Sequence, residues 1–558
     1  MKSKIIFLNL LLIGLSLNVP AQTGEQGIYF VKKVYIPSPL PSYKQVKTEL
    51  PQPVFDENPL WIETWWKAWE LAFRNFYEPE PGSGFVSPLF DAAFNENIFL
   101  WDVSFITMFA NYAHPVVRGI ESLDNFYCKQ HPSGEISREI NRSTGKDCDL
   151  WINTENSSLY SCHGYHVPAK ANPVKIQYIG CPTPSPNPLF TLEALNHPIL
   201  AWAEWESYKI TGNKKRLAMI LEPLNRYYQA LKKYIRQGNG LYMTDWASMD
   251  NSTRNAWLEG GGTGIDISSE MVLFARNLSD IAKITGKKDL SRQYAKEADD
   301  LSEIINQKMW DNNQQFYFDL NLENKKSDIK TIAGFWPLVA RVSSPQQASG
   351  LFYWLNDTAT FARTYPVPTL AANQPGYSPS GDYWCGGVWA PTNTMVIRGL
   401  EQYGYDSLAY TIAIKHLAQV AEVYRQTGTI WETYSADKPS YGLHADGKPV
   451  VKDFVGWSGI GPIMYLLEYA IGLKPDAIQN QLTWTIRSPK TVGCRQYRFN
   501  GHTVSLVAQT NQQNEIVISI DSDGSFKLRI LINGQSFDRK IKKGHQDIKI
   551  PQGCLSGK

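Results

Sequence analysis

Between residues 60 and 470 the chain repeats one piece of punctuation: a helical stretch, a glycine just past its last turn, and a second helical stretch close behind. Lys209-Ile210-Thr211-Gly212-Asn213 and Lys283-Ile284-Thr285-Gly286-Lys287 are two copies. Glycine at that position takes the left-handed conformation that ends a helix, and so short a connection makes the two helices antiparallel neighbours. The first helix, from Pro59, sets Trp61, Trp65, Trp66 and Trp69 along one face. Apolar spacing predicts further helices over about 102–113, 192–211, 214–236, 266–285, 288–309, 345–355, 391–404, 406–426 and 457–471. Strand-like runs are nearly absent there. The economical closure for about a dozen helices joined as hairpins is a ring, so the predicted fold is mainly α, an (α/α)6 toroid whose inner helices line a central pocket.

The flanks read differently. Residues 1–21 have the charged, apolar and small-residue regions of a signal peptide, so the protein is expected to be exported, periplasmic or extracellular. Residues 22–85 form an N-terminal arm and the first helix, and 86–475 the barrel. Within the barrel, 114–190 breaks the helical pattern with Pro, Gly, Asn, Ser and four cysteines (Cys128, Cys148, Cys162, Cys181). It is expected to be a long insertion over one mouth of the ring, stapled by one or two disulfides. In such a lid Arg138, Glu139 and His163 are candidate substrate contacts. Residues 476–558 alternate with period two, and Asn500-Gly501 and Asn533-Gly534 supply hairpin turns, so a small antiparallel β domain closes the chain.

Charge narrows the partner class. Lys+Arg number 55 and Asp+Glu 53 in 558 residues, a balance that favours neither nucleic acid nor an acidic polymer. No later stretch is long and apolar enough for a membrane span. Eighteen tryptophans suit flat sugar faces as well as a core. No CxxC pair or EF-hand loop occurs, so neither a metal nor another cofactor is expected.

Two carboxylates stand out on turn-forming segments. Asp250 lies in Trp246-Ala247-Ser248-Met249-Asp250-Asn251-Ser252-Thr253-Arg254, and Glu432 in Trp431-Glu432-Thr433-Tyr434. A carboxylic acid to protonate a leaving oxygen and a carboxylate to activate water are what hydrolysis of a glycoside needs. Asp250 also suits a helix N-cap, and Asp245 competes with it locally. The residues alone do not say which carboxyl is the acid. Further Trp and Asp residues fall on helix-joining segments: Trp101-Asp102, Asp382-Tyr383-Trp384 through Trp389, and Gly456-Trp457-Ser458-Gly459.

These motifs resemble, in order, those of glycoside hydrolase family 63, and also the trehalases of family 37. They comprise Trp101-Asp102 with Phe105, Asn196 to Ala203, Met249 to Ser252, Gly264 to Ile267, Tyr383-Trp384 through Trp389 to Asn393, Trp431 to Tyr434, and Gly456 to Gly459. The resemblance covers about residues 95–473. It implies an (α/α)6 barrel that cleaves an α-linked gluco- or manno-configured oligosaccharide or glycoside with inversion, with Asp250 as general acid and Glu432 as general base. Trp101, Asp102, Trp384 and Trp389 would line the sugar subsite, joined by Trp246, Asn251, Arg254 and Trp457. Inversion calls for carboxyls roughly 6.5–9.5 Å apart. Asn95 to Leu100 stands where trehalases carry an Arg-rich signature, which counts against trehalose as substrate. The competing readings are a polysaccharide lyase on the same toroid, and a catalytically silent carbohydrate-binding protein.

Overall fold

The left-handed glycines Gly212 and Gly286 are where the sequence puts them, with φ of 66° and 83°, and Gly404 and Gly428 share the conformation at 76° and 74°. In this computed structural model, which describes residues 35–149, 195, 197–244, 249–258, 262–513 and 515–550, the first three lie between paired helices. Leu200–Thr211 precedes Lys214–Ile235, Ile265–Ile284 precedes Lys288–Lys308, and Ala390–Gln402 precedes Asp406–Thr427.

The members of a pair differ in burial. All eleven residues of Leu100–Ala110 are buried, as are all eleven of the π-helix Gly461–Ile471. By contrast Lys288–Lys308 buries only Tyr294, Ala298, Leu301, Ser302 and Ile305, one stripe of a charged helix. A helix apolar all round is enclosed by others, whereas a striped one faces solvent on its far side. Leu100–Ala110, Leu200–Thr211, Ile265–Ile284, Ala390–Gln402 and Gly461–Ile471 therefore make an inner set, and the amphipathic helices lie outside it. At the far ends of this set Arg398 pairs with Glu468 (2.6 Å), which also accepts from the Tyr112 hydroxyl, while Glu401 takes Lys474 and the Tyr469 hydroxyl.

The N-terminal arm is less independent than expected. Gln52–Phe55 is a strand paired antiparallel with Val492–Phe499, so the arm completes a sheet of the C-terminal region. That sheet runs Gln52–Phe55, Val492–Phe499, His502–Thr510, Ile516–Ser522, Gly544–Ile550. A second sheet holds Leu473–Asp476, Gln481–Thr485, Phe526–Ile532 and Gln535–Ile541. The pairing is antiparallel except between Gln481–Thr485 and Phe526–Ile532, which run parallel. Asn500-Gly501 and Asn533-Gly534 both have positive φ at their two residues, as a two-residue hairpin turn requires.

The insertion is a correction in its first part. Residues 114–149 are not a lid: Ile120, Leu123, Phe126, Tyr127 and Ile136 are buried in the core. Glu139–Asn141 pairs with Asn97–Phe99 and with Asp147–Asp149. Buried Arg216 explains the packing, since it binds Asp124 (2.9 Å) and Glu204 (2.7 Å) and so ties this segment to two helices. No disulfide joins Cys128, Cys385 and Cys494 to one another: the Cys128 thiol donates to the Asn125 carbonyl (3.2 Å), and Cys385 and Cys494 are buried thiols, while the Cys148 side chain lies outside what is described. Cys162, Cys181, Cys554, His163 and the signal segment 1–21 lie outside the described residues. No described helix is long and apolar enough to cross a membrane.

Candidate active site

The N-terminal ends of the inner helices bring four tryptophans together. Trp101 is the second residue of Leu100–Ala110, Trp389 precedes Ala390–Gln402, and Trp457 opens the 3-10 turn Trp457–Ile460. The Trp384 and Trp389 rings stack at 4.2 Å, Trp389 and Trp457 at 5.1 Å, and Trp101 lies edge-on to Trp457 at 5.4 Å and tilted to Trp384 at 6.3 Å.

The four are not equivalent. The Trp389 indole donates to the Tyr383 carbonyl (3.0 Å) and the Trp457 indole to the Glu432 carbonyl (3.0 Å), so both support the backbone behind the site. The Trp101 and Trp384 indole N–H groups are buried and have no hydrogen-bond partner among the described residues. Neither has the Oδ1 of Asp102, which is also buried. Burial pushes the Asp102 carboxyl well above the usual range, and nearby Asp91, Glu432 and Glu139 add to the rise. Unmet buried polar groups are costly, and their concentration on one wall marks where polar partners are wanted.

Glu432 is fixed from every side. Its backbone N–H donates to the Val451 carbonyl (2.9 Å), and its own carbonyl accepts from Trp457 and from the Ser458 hydroxyl (2.9 Å). Its carboxyl accepts from the Tyr383 hydroxyl (2.7 Å) at Oε1 and from the Val451 N–H (3.1 Å) at Oε2. Burial lifts its pKa to about 7, the Asp250 charge adds to the rise, and the two hydrogen bonds oppose it.

Asp250 is half-buried in a turn and close enough for its charge to act on both Glu432 and Tyr383. Arg254, fully buried, holds this turn. Its guanidinium donates to Asp266 (3.0 Å from Nη2), to Asp319 (2.7 and 2.9 Å) and to the Met249 sulfur (3.3 Å). Arg254 is thus a loop anchor rather than the sugar contact expected from sequence, because its donors are taken up by two buried carboxylates. Asn251 likewise faces protein: its side-chain oxygen accepts from the Trp384 N–H (2.9 Å) and its carbonyl from the Cys385 thiol (2.9 Å). Trp246 and the competitor Asp245 lie outside the described residues. Of the two lid contacts that are described, Arg138 pairs with Glu139 (2.7 Å), both of them buried.

Sequence reasoning missed the role of Tyr383. It stood in a noted motif, but only the fold turns its hydroxyl onto Glu432. The same holds for His197, whose Nδ1 lies 2.6 Å from Glu270 and whose ring stacks on Trp336 and neighbours Trp101. Among the described residues no group of three or more His, Cys, Asp or Glu could hold a metal ion.

Comparison with known proteins places this geometry. Residues 191–446 match the model of the mannosylglycerate hydrolase MGH1-like glycoside hydrolase domain. This stretch is similar to a glycoside hydrolase domain. It includes Asp250, Tyr383, Trp384, Trp389 and Glu432, while Trp101, Asp102 and Trp457 come from outside it. An uncharacterised protein of Borreliella burgdorferi is 29% identical over 374 residues, 65% of this chain and 76% of that one. A periplasmic trehalase of Xanthomonas campestris is 28% identical over 223 residues, 38% of this chain; the match spans about a third (36%) of that trehalase's length. Two solved structures share the fold. The family 63 mannosylglycerate hydrolase of Thermus thermophilus has a TM-score of 0.50 at 19% identity, over 71% of this chain and 98% of its own. An α-L-rhamnosidase of Dictyoglumus thermophilum has a TM-score of 0.56 at 13% identity, over 89% and 50%.

Proposed function

We propose that this protein is an exported glycoside hydrolase that cleaves an α-linked, gluco- or manno-configured glycoside with inversion, on a closed (α/α)6 ring. Asp250 is the general acid and Glu432 the general base. The observation that carries this is Glu432 itself. It is a buried carboxyl with no ion-pair partner among the described residues, oriented by two hydrogen-bond donors and felt electrostatically by Asp250, beside a wall of tryptophan.

In the reaction Asp250 gives its proton to the glycosidic oxygen as that bond breaks. Glu432 takes a proton from water, whose oxygen attacks the anomeric carbon from the opposite face, so an α-glycoside yields the β-anomer. A base with pKa near the working pH accepts a proton well and is regenerated easily, which the position of Glu432 favours. The Asp102 carboxyl and the Trp101 and Trp384 N–H groups suit sugar hydroxyls, which accept as readily as they donate. All-round burial of the inner helices and glycine-ended hairpins support the ring. The lyase alternative needs a cation to neutralise a uronate, and Arg254 is committed to Asp266 and Asp319.

The experiment is a panel of α-linked disaccharides and glycosides, with mannosylglycerate and trehalose included, followed by NMR of the first-formed anomer. Release of the β-anomer is expected. Initial α-anomer from a glycoside whose leaving group is not a sugar, such as mannosylglycerate, rules out inversion, and an unsaturated product from a uronate polymer rules out hydrolysis.

A further inference from the structure

The two carboxylates sit on separate loops some 180 residues apart in sequence, yet one short turn contacts both loops. At one end of the 382–385 turn, Asn251, the neighbour of Asp250, accepts from the Trp384 N–H (2.9 Å) through its side chain and from the Cys385 thiol (2.9 Å) through its carbonyl. At the other end Tyr383 donates its hydroxyl to Glu432 (2.7 Å). The turn is stiff. Tyr383 has φ of +47°, a conformation that a bulky side chain adopts only when its surroundings enforce it. They do: its carbonyl accepts from the Trp389 indole (3.0 Å), the Thr369 hydroxyl (3.2 Å) and the Gly387 N–H (3.0 Å). Its ring packs against Trp389 at 4.8 Å. Gly387–Val388 then pairs with Tyr434–Ser435, two residues past Glu432.

We propose that Tyr383 is the positioning residue for Glu432 and that its turn, clasped by Asn251, is the spacer that sets the two carboxylates apart. It rests on Glu432 as general base. An inverting site needs room for one water between base and anomeric carbon, and a rigid strut between the loops keeps that gap constant as substrate enters. The hydroxyl also favours the charged form of Glu432, opposing the rise that burial causes.

The test is kcat and KM from pH 5 to 9 for wild type, Tyr383→Phe, Asn251→Ala, the double variant and Glu432→Gln, on a substrate from the panel. Phenylalanine keeps the ring on Trp389 and removes one oxygen, and thermal unfolding checks that each variant is folded. Tyr383→Phe is expected to lower kcat by about 10–100-fold near pH 6 with KM within about twofold. It should also move the acidic limb of the pH profile up by about one unit, because the carboxylate has lost a donor. The double variant is expected to lose less than the product of the two single losses, since both break the same strut. An unmoved acidic limb with unchanged kcat, or a change in KM alone, overturns the assignment of Tyr383. If Glu432→Gln remains active, the base assignment itself fails. If it is inactive while Tyr383→Phe behaves as wild type, only the strut fails.

Discussion

Two buried carboxylate clusters flank the turn that carries Asp250, and they differ in what is set against them. Asp266 and Asp319 enclose Arg254, which donates four hydrogen bonds to them at full burial, and Asp319 accepts one more from the Ile265 N–H. Burial pushes both carboxyls up; at Asp266 the charge and hydrogen bonds of Arg254 outweigh it, while at Asp319 burial prevails despite the same cation. Glu432 and Asp102 are just as buried, with no cation against them among the described residues, and both are pushed up. A satisfied cluster holds a loop in place. A cluster left short of partners stores unfavourable electrostatics that a substrate can relieve, which is how active sites come to be less stable than their surroundings.

This contrast can be broken by mutation. The largest effect is expected on activity: Asp250→Asn and Glu432→Gln should each lower kcat/KM by about 10²–10⁴-fold on the preferred α-glycoside, with unfolding transitions no lower than wild type. If either variant keeps wild-type rates, the unpaired cluster is not catalytic. Next comes Arg254→Ala, which strands two buried carboxylates. Denaturant titration should show a loss of about 3–5 kcal/mol, in the range found when one partner of a buried pair is removed. A loss below about 1 kcal/mol would erase the distinction between the clusters.

The pH dependence of stability sharpens it. The folded pKa of Glu432 lies near 7, above its usual 4.5, so its proton stabilises the fold fully below pH 4.5, and that contribution is lost as pH rises through 7. The difference corresponds to about 3 kcal/mol at most. Glu432→Gln carries no charge to bury, so it should be more stable than wild type at pH 8 by up to that amount, with the gap closing near pH 4.5. An equal gap at both pH values would mean that Glu432 is not strained by burial. The smallest effect is expected for Trp384→Phe, which removes one unmet N–H and keeps an aromatic face. KM should rise several-fold with little change in kcat, and no change would place the sugar elsewhere.

Much of the scaffold was legible beforehand. Helix ends marked by Gly212 and Gly286, and the two Asn-Gly hairpins, are local events whose backbone conformation the residues themselves dictate. The arm was misread because Gln52–Phe55 is too short and proline-rich to announce a strand, and it becomes one only against Val492–Phe499. The segment 114–149 was misread because composition rich in Pro, Gly and Asn suggests a surface loop. The buried Arg216, Asp124 and Glu204 that fold it inward lie far apart in the chain.

At the site the division is the same. Sequence alone singled out Asp250 and Glu432, with tryptophan and aspartate on joining loops, because reactive residue types on turn-forming segments are visible without coordinates. Only tertiary structure sorted Trp101 and Trp384 from Trp389 and Trp457, set Arg254 against Asp266 and Asp319 and Asn251 against the Trp384 turn, and set the Tyr383 hydroxyl on Glu432. Hydrogen-bond supply and burial are properties of the assembled environment. A residue's chemistry is written in its type, but whether that chemistry is satisfied or left waiting depends on what the fold brings against it.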